Sequence, residues 1–156
     1  MDKHLDIAYR EFDSVDELAL ADRDLVRQAM AAADGAYAPY SGFSVGAALR
    51  LSDGTVIRGA NQENAAYPSG LCAERTALFA ASAQRPDVRD YEALAIVGRN
   101  AEGMFCEASP CGACRQVLAE YEGLQRHPLR VICLLSGGRV RVLPSVAALL
   151  PFAFSM

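Results

Sequence analysis

The chain has 156 residues, 52% of them hydrophobic and 22% charged, which is typical of a globular protein with a sizeable core. Its formal net charge is −4 at pH 7, so we expect neither a nucleic-acid partner nor stable binding to an anionic membrane. An acidic residue at position 2 and the lack of an apolar run of about 18 residues argue against a secretory signal and a membrane span, so we expect a cytoplasmic protein.

The first half of the chain predicts a helix followed by a strand hairpin and a second helix. Residues 1–20 are weakly patterned and are interpreted as a loose N-terminal extension or a first helical turn. From Asp22 apolar residues recur at spacings of three and four, which predicts a helix that ends near Gly35. Strands are then predicted over residues 43–51 and 55–61, on the two sides of the turn signal Ser52-Asp53-Gly54. A polar loop over 61–70 and an alanine-rich helix over 72–84 follow.

The second half alternates between strands and helices again. It predicts a buried strand over residues 91–98 and a helix over 111–122. Two strands around a glycine turn follow, over 130–135 and 139–143, and then a short last helix over 146–150 that Ser145 caps. Alternation predicts parallel crossovers, whereas tight hairpins predict antiparallel pairs. We therefore expect one domain over residues 1–156, an α/β fold with a mixed sheet of about five strands and helices on both faces.

Three of the five cysteines are spaced like metal ligands. Cys111 and Cys114 have the C-x2-C spacing that lets two thiolates bind one metal, and Cys72 is the third candidate. A lone C-x2-C pair is equally typical of redox chemistry, but each of these cysteines lies at the start of a predicted helix, where thiolates are favoured. Neither Cys106, Cys133 nor a histidine offers a fourth ligand at comparable spacing. Three ligands and one open position are the arrangement of catalytic zinc.

Two residues close to Cys72 complete the predicted centre. Glu74 begins the same helix, where its carboxylate can move protons without binding the metal. A glutamate in a first helical turn is usually only a partner of the helix dipole. The combination of Cys-Ala-Glu-Arg with Pro-Cys-Gly-Ala-Cys across one strand favours the catalytic role instead. Arg75 is predicted to donate hydrogen bonds to a thiolate and so to offset the excess negative charge of three thiolates around zinc.

Four segments carry a resemblance to a known family, namely residues 40–48 (YSGFSVGAA), 61–67 (NQENAAY), 72–77 (CAERTA) and 109–116 (SPCGACRQ). They resemble the short, homotetrameric, zinc-dependent cytidine deaminases, over residues 22–154. The resemblance implies a three-layer α/β/α fold and one zinc per chain held by Cys72, Cys111 and Cys114. It also implies that Glu74 is the proton shuttle in the hydrolytic deamination of cytidine and deoxycytidine to uridine and deoxyuridine, a reaction of pyrimidine salvage that releases ammonia.

The resemblance also assigns residues to the substrate pocket. Asn61 and Glu63 match residues that hydrogen-bond the ribose 3′-hydroxyl, which cytidine and deoxycytidine share. A carboxylate at that place repels phosphate, so a free nucleoside is the expected substrate. The backbone of Ala65 and the side chain of Glu74 are expected to contact the pyrimidine edge, and Tyr67 to line the site.

Two further aromatic residues are assigned in the same way. Phe43 and Phe154 match aromatic residues near the base and the sugar, and the resemblance implies that Phe154 comes from a neighbouring subunit. Without the resemblance, ordinary core packing is the more common role of such aromatic residues. A homotetramer with active sites shared between subunits is therefore expected.

Three other functions are weighed against this one. A deaminase of a cytosine-bearing nucleoside antibiotic such as blasticidin S is disfavoured by Asn61 and Glu63, which suit a ribose. A structural zinc module is disfavoured by Glu74 beside an open coordination position. A nucleic-acid-editing deaminase is disfavoured by the acidic net charge.

Overall fold

The computed structural model describes all 156 residues as one mixed sheet with helices on both faces. The helices are α1 (Leu20–Ala32), α2 (Ala73–Gln84) and α3 (Gly112–Gln125). The strands are β1 (Arg10–Phe12), β2 (Ser44–Leu51), β3 (Val56–Ala60), β4 (Tyr91–Arg99), β5 (Phe105–Cys106), β6 (Arg130–Leu134) and β7 (Val140–Leu143). They are ordered β1-β7-β6-β4-β2-β3, and β5 pairs with the end of β4. No helix combines the length and the apolar character that crossing a membrane requires.

The strand pairings follow the connections that the sequence predicts. β2 and β3 form an antiparallel hairpin, as do β6 and β7, and β4 pairs with β6 in parallel across α3. β4 is buried along nearly its whole length, as expected for a strand covered on both faces. The fold class is confirmed.

The sheet has seven strands, so the expectation of about five was too low. The additional strands are β1, with three residues, and β5, with two. Segments this short show no alternation in the sequence, and they become strands only because β7 and β4 offer them hydrogen-bonding partners. The predicted last helix is a single 3₁₀ turn, Val146–Ala148, in which Ala147 N donates to the predicted cap, Ser145 Oγ.

The helices divide the core into two layers. Leu25, Val26 and Ala29 of α1 pack on one face of the sheet. α2 and α3 cover the other face, with Ala73, Ala77, Leu78 and Leu118 among their fully buried residues. Both helices whose starts carry the candidate metal ligands therefore lie on the same side of the sheet.

A buried ion-pair group fixes α1 to the sheet. The carboxylate of Asp22 accepts hydrogen bonds from Arg50 at 2.9 Å and from Arg130 at 2.7 Å, and Arg50 also binds Glu92 at 2.9 Å. A buried carboxylate is stable only when its oxygens are paired in this way. These charges lie at the end of β2 and the starts of β4 and β6. The pocket described below lies toward the opposite ends of β2 and β4.

Glycine at position 59 allows α2 to lie unusually close to the sheet. A Cβ atom built on Gly59 of β3 would come within 2.4 Å of Ala77 N and 2.6 Å of Ala73 O, which are backbone atoms of α2. Backbone cannot move aside as the end of a flexible side chain can. Because α2 begins directly after Cys72, this contact also sets the height of Cys72 above the sheet.

We predict that Gly59→Ala lowers the free energy of unfolding by about 3 kcal/mol, because the added methyl group overpacks the interface between α2 and β3. Gly123→Ala is the matched control, since a Cβ there meets nothing within 4 Å. In the interior of α3 it should raise stability by up to about 1 kcal/mol. Thermal or denaturant unfolding of both variants measures the difference, and equal stability would contradict the packing argument.

Candidate active site

The starts of α2 and α3 bring three thiol groups together. Cys72 is the N-cap of α2, Cys111 is the N-cap of α3, and Cys114 lies in the first turn of α3. Their Sγ atoms all lie within 4.8 Å of one another, and those of Cys72 and Cys111 are 3.8 Å apart. Cys106 and Cys133 are not part of this group. Three convergent sulfur donors suit zinc, so the residues present fit this metal.

A hydrogen bond from Cys114 and the nearby charge of Arg75 favour the thiolate form of Cys72. Arg75 Nη2 donates a hydrogen bond to Cys72 Sγ at 3.5 Å, the contact that the sequence predicts. The pKa of the Cys72 thiol falls to about 5, chiefly because Cys114 donates a hydrogen bond to its sulfur; burial opposes this effect and Arg75 adds to it. The two helix N-termini contribute further positive potential. The site therefore favours a thiolate at Cys72, whereas the pKa of Cys114 is raised, chiefly because Cys114 donates the hydrogen bond to Cys72.

Glu74 lies in the first turn of α2, and its side chain is not exposed to bulk solvent. Only 4% of the residue is accessible, and it borders the same cavity as Cys72 and Cys111. Burial raises the pKa of its carboxyl to about 7; a backbone hydrogen bond opposes this effect, and the negative charge of Cys72 reinforces it. A carboxyl group in this position can exchange protons with a molecule bound in the cavity.

A cavity of about 780 Å³ opens in front of the sulfur atoms, which is a suitable size for a small molecule. Four of the predicted substrate residues line it, namely Phe43, Asn61, Glu63 and Tyr67. Ala65 and Phe154 are not among its lining residues. The cavity thus brings most of the assigned pocket together with Glu74 and two of the three thiols.

The side chain of Asn61 joins the two sides of the pocket wall. Its Oδ1 accepts a hydrogen bond from Val45 N at 2.7 Å, and its Nδ2 donates to Phe43 O at 2.9 Å. One hydrogen of Nδ2 remains available. Asn61 therefore holds the backbone on both sides of Ser44 and can still donate to a ligand.

Glu63 is held by the loop that precedes β2. Its Oε2 accepts from Tyr40 N at 2.8 Å and from Ser41 N at 3.3 Å, and its Oε1 accepts from Ser41 Oγ. The Ser41 hydroxyl lowers the pKa of Glu63, an effect that burial opposes and the two amides strengthen. A carboxylate offers about four acceptor positions, so Oε1 can accept one more hydrogen bond.

Phe154 lies outside the cavity of its own chain. Its side chain is among the exposed aromatic groups, with 71% of the residue accessible, while Gln116 Nε2 donates to its backbone oxygen at 3.0 Å. Tyr67 is also exposed, at 79%, and its ring packs edge-on against Tyr40 with centroids 6.3 Å apart. The ring of Tyr67 thus lies at the opening of the cavity, whereas the ring of Phe154 is exposed on the surface away from it.

Sequence reasoning missed several residues that border the cavity, among them Tyr40, Ser41 and Glu107. Tyr40 and Ser41 lie just before Phe43, in a segment that carries the family resemblance. The polar hydroxyl group of Ser41 in that segment was a usable signal for a pocket residue. Glu107 had no such signal, because it lies in the loop between β5 and α3 and no spacing pattern connects it to the pocket.

Comparisons with known proteins agree with this geometry. A family model described as the cytidine and deoxycytidylate deaminase zinc-binding region matches residues 20–128. A cytidine deaminase of Halalkalibacterium halodurans is 53% identical over 62% of this chain and 68% of its own length. One of Sporosarcina psychrophila is 50% identical over 62% of this chain and 67% of its own length.

Solved structures of cytidine deaminases are also similar to this fold. The crystal structure of a cytidine deaminase from Burkholderia pseudomallei superposes with a TM-score of 0.72 at 46% identity, covering 84% of this chain and 97% of that one. A cytidine deaminase from Mycobacterium tuberculosis superposes with a TM-score of 0.66 at 37% identity, covering 85% and 96% of the two chains.

We predict that Arg75→Ala weakens zinc retention by about 10–100-fold, because three thiolates around Zn²⁺ leave a net negative charge that the guanidinium offsets. Competition with a chelator measures the affinity, and Cys111→Ala shows the effect of losing a ligand. Arg58→Ala removes an exposed arginine of β3 and should retain zinc as the wild type does. Unchanged affinity in Arg75→Ala would leave that residue without a role at the metal.

Proposed function

The chain belongs to the cytidine and deoxycytidylate deaminase family, and we propose that its cavity hydrolyses the 4-amino group of cytidine and deoxycytidine, with Glu74 as the group that moves protons. The products are uridine or deoxyuridine and ammonia, a reaction of pyrimidine salvage. Zinc is the cofactor, one per chain, with Cys72, Cys111 and Cys114 as its ligands. The enzyme is thus a zinc-dependent hydrolase that acts on a nucleoside.

One observation carries the proposal. A buried carboxyl group, Glu74, lines a nucleoside-sized cavity directly beside the converging thiols of Cys72 and Cys111. A structural zinc site has four protein ligands and needs neither a cavity nor an acid. Three thiols, a neighbouring carboxyl and an open cavity together are the requirements of hydrolytic deamination.

The chain's own residues perform the proton transfers. Bound zinc supplies the activation of a water molecule for attack on C4 of the pyrimidine. Glu74 accepts a proton from that water and donates it to N3 of the ring. It then takes the second proton of the same oxygen and delivers it to the exocyclic nitrogen. The bond between C4 and this nitrogen breaks, ammonia leaves, and C4 keeps the new oxygen as a carbonyl.

The sugar is bound by Asn61 and Glu63 in this proposal. The unused Nδ2 hydrogen of Asn61 donates to the 3′-hydroxyl, which in turn donates to the free acceptor position on Glu63 Oε1. The negative charges of Glu63 and Glu107 at the same cavity disfavour a phosphate group. A free nucleoside is therefore preferred over a nucleotide.

The remaining contacts follow from the resemblance. The Ala65 backbone and Glu74 contact the pyrimidine edge, Tyr67 lines the site, and Phe43 lies near the base. Phe154 completes the pocket of a neighbouring subunit, which explains why so large an apolar ring is exposed and absent from its own cavity. The active form is accordingly a homotetramer with shared sites.

Two general properties belong to the same proposal. The whole chain is one domain, because a single sheet runs from β1 near the N-terminus to β7 near the C-terminus. The protein is proposed to work in the cytoplasm, where reducing conditions keep thiols available for zinc.

We predict that Glu74→Gln retains one zinc per chain but lowers kcat for cytidine by about 10⁴-fold, since an amide of similar size cannot move protons. Metal analysis and an ammonia-release assay on the same preparation measure both properties. Cytidine, deoxycytidine, CMP, cytosine and adenosine form the substrate panel, and we expect activity on the first two. Wild-type turnover in this variant would remove Glu74 from the mechanism, and loss of zinc would recast it as a structural residue.

We predict that two impaired variants complement each other if Phe154 acts across subunits. Phe154→Ala chains keep Glu74 and lack the aromatic ring, whereas Glu74→Gln chains keep the ring. Dissociating, mixing and reassembling them should give more activity than the sum of the separate preparations, and each preparation treated alike serves as its own control. Light scattering should show a tetramer. Full activity in a demonstrated monomer would refute the shared site.

A further inference from the structure

The C-terminal segment of the chain follows helix α3 from its end back to its start. We use the name tail for residues 145–154. Glu122, near the end of α3, accepts hydrogen bonds from Ser145 Oγ at 2.8 Å and Val146 N at 2.9 Å. Gln116, near the start of α3, donates to Phe154 O at 3.0 Å. The helix that carries Cys114 therefore also holds both ends of the tail.

Arg115 holds the middle of the tail and also the residue that precedes Cys111. Its Nε donates to Pro110 O at 2.8 Å, and its Nη1 donates to Leu149 O at 3.0 Å. No carboxylate lies within 4.0 Å of its guanidinium. The fixed spacing of its nitrogen atoms lets one side chain bind two carbonyl groups at once.

The position of Arg115 explains how it reaches both groups. It directly follows Cys114 and lies seven residues before Glu122, so both side chains project from the same face of α3, two turns apart. Arg115 is half-buried and borders a small cavity of about 270 Å³ that Leu149 also lines. A side chain in such a place is constrained by its neighbours, unlike an exposed arginine.

We propose that Arg115 is a positioning residue that fixes the tail, and with it Phe154, relative to the metal-binding start of α3. Gln116 assists by holding the backbone of Phe154 itself. The functional part of this inference rests on the proposed role of Phe154 in a neighbouring pocket. Arg115 then couples the geometry of the metal ligands in one subunit to the substrate pocket of the next.

Hydrogen exchange tests the structural part without reference to any substrate. In Arg115→Lys the positive charge remains, but a single ammonium replaces the planar fork whose Nε and Nη1 match the positions of the two carbonyl groups. We expect the tail amides to exchange about tenfold faster or more, because a hydrogen bond from a charged group is lost. Peptides from α1 and β2 should exchange as in the wild type. Arg58→Lys is the matched control for an arginine without such contacts.

Kinetics test the functional part. Arg115→Lys and Arg115→Met should both bind one zinc per chain and raise KM for cytidine about tenfold, with a smaller change in kcat, because a displaced Phe154 weakens substrate binding. Wild-type tail exchange and KM in the Lys variant would overturn the proposal, since charge alone would then suffice. Faster tail exchange with unchanged KM would overturn the link to the pocket.

A second variant keeps the test decisive if Arg115 substitutions destabilise the whole chain. Gln116→Glu has the same size but cannot donate to Phe154 O, and we expect faster exchange confined to the tail together with a raised KM. Unchanged exchange in this variant would contradict the proposed anchoring. Absence of cytidine turnover in the wild-type protein would instead contradict the proposed function and leave the exchange result valid.

Discussion

Three sulfur atoms within 4.8 Å of one another are the feature on which the rest of this structure depends. As thiolates they repel each other, and even Zn²⁺ between them leaves net negative charge. Two helix N-termini and the Arg75 guanidinium supply the compensating positive potential. The site therefore requires two helices that lie on the same face of the sheet and whose starts converge. A strand between them in the sequence returns the chain so that the second helix begins beside the start of the first.

The sheet meets this requirement by letting the helices approach closely. Gly59 removes the side chain that would separate β3 from α2, and Ala73 and Ala77 present only small groups to the sheet. On the opposite face α1 is fixed through Asp22, whose partners lie at the far ends of the strands. Val45 near the start of β2 and Ile96 in the second half of β4 line the cavity in front of the sulfur atoms.

Much of this arrangement could be predicted because it is encoded locally. The spacing of Cys111 and Cys114, the helix starts and the hairpin turn at Asp53-Gly54 each depend on neighbouring residues. β1 and β5 could not be predicted, because strands of three and two residues exist only through their partners. The contacts of Ser41 with Glu63 and of Arg115 with Leu149 join residues 22 and 34 positions apart, and no sequence pattern announces them.

Helix α3 both carries two of the clustered cysteines and binds the C-terminal tail. Both cysteines lie at its start, so a segment that binds along α3 is positioned relative to them. The tail binds through Glu122, Arg115 and Gln116 and ends at an exposed aromatic ring. If Phe154 enters a neighbouring subunit's pocket, as proposed above, its ring is oriented by a helix whose start also carries Cys111 and Cys114.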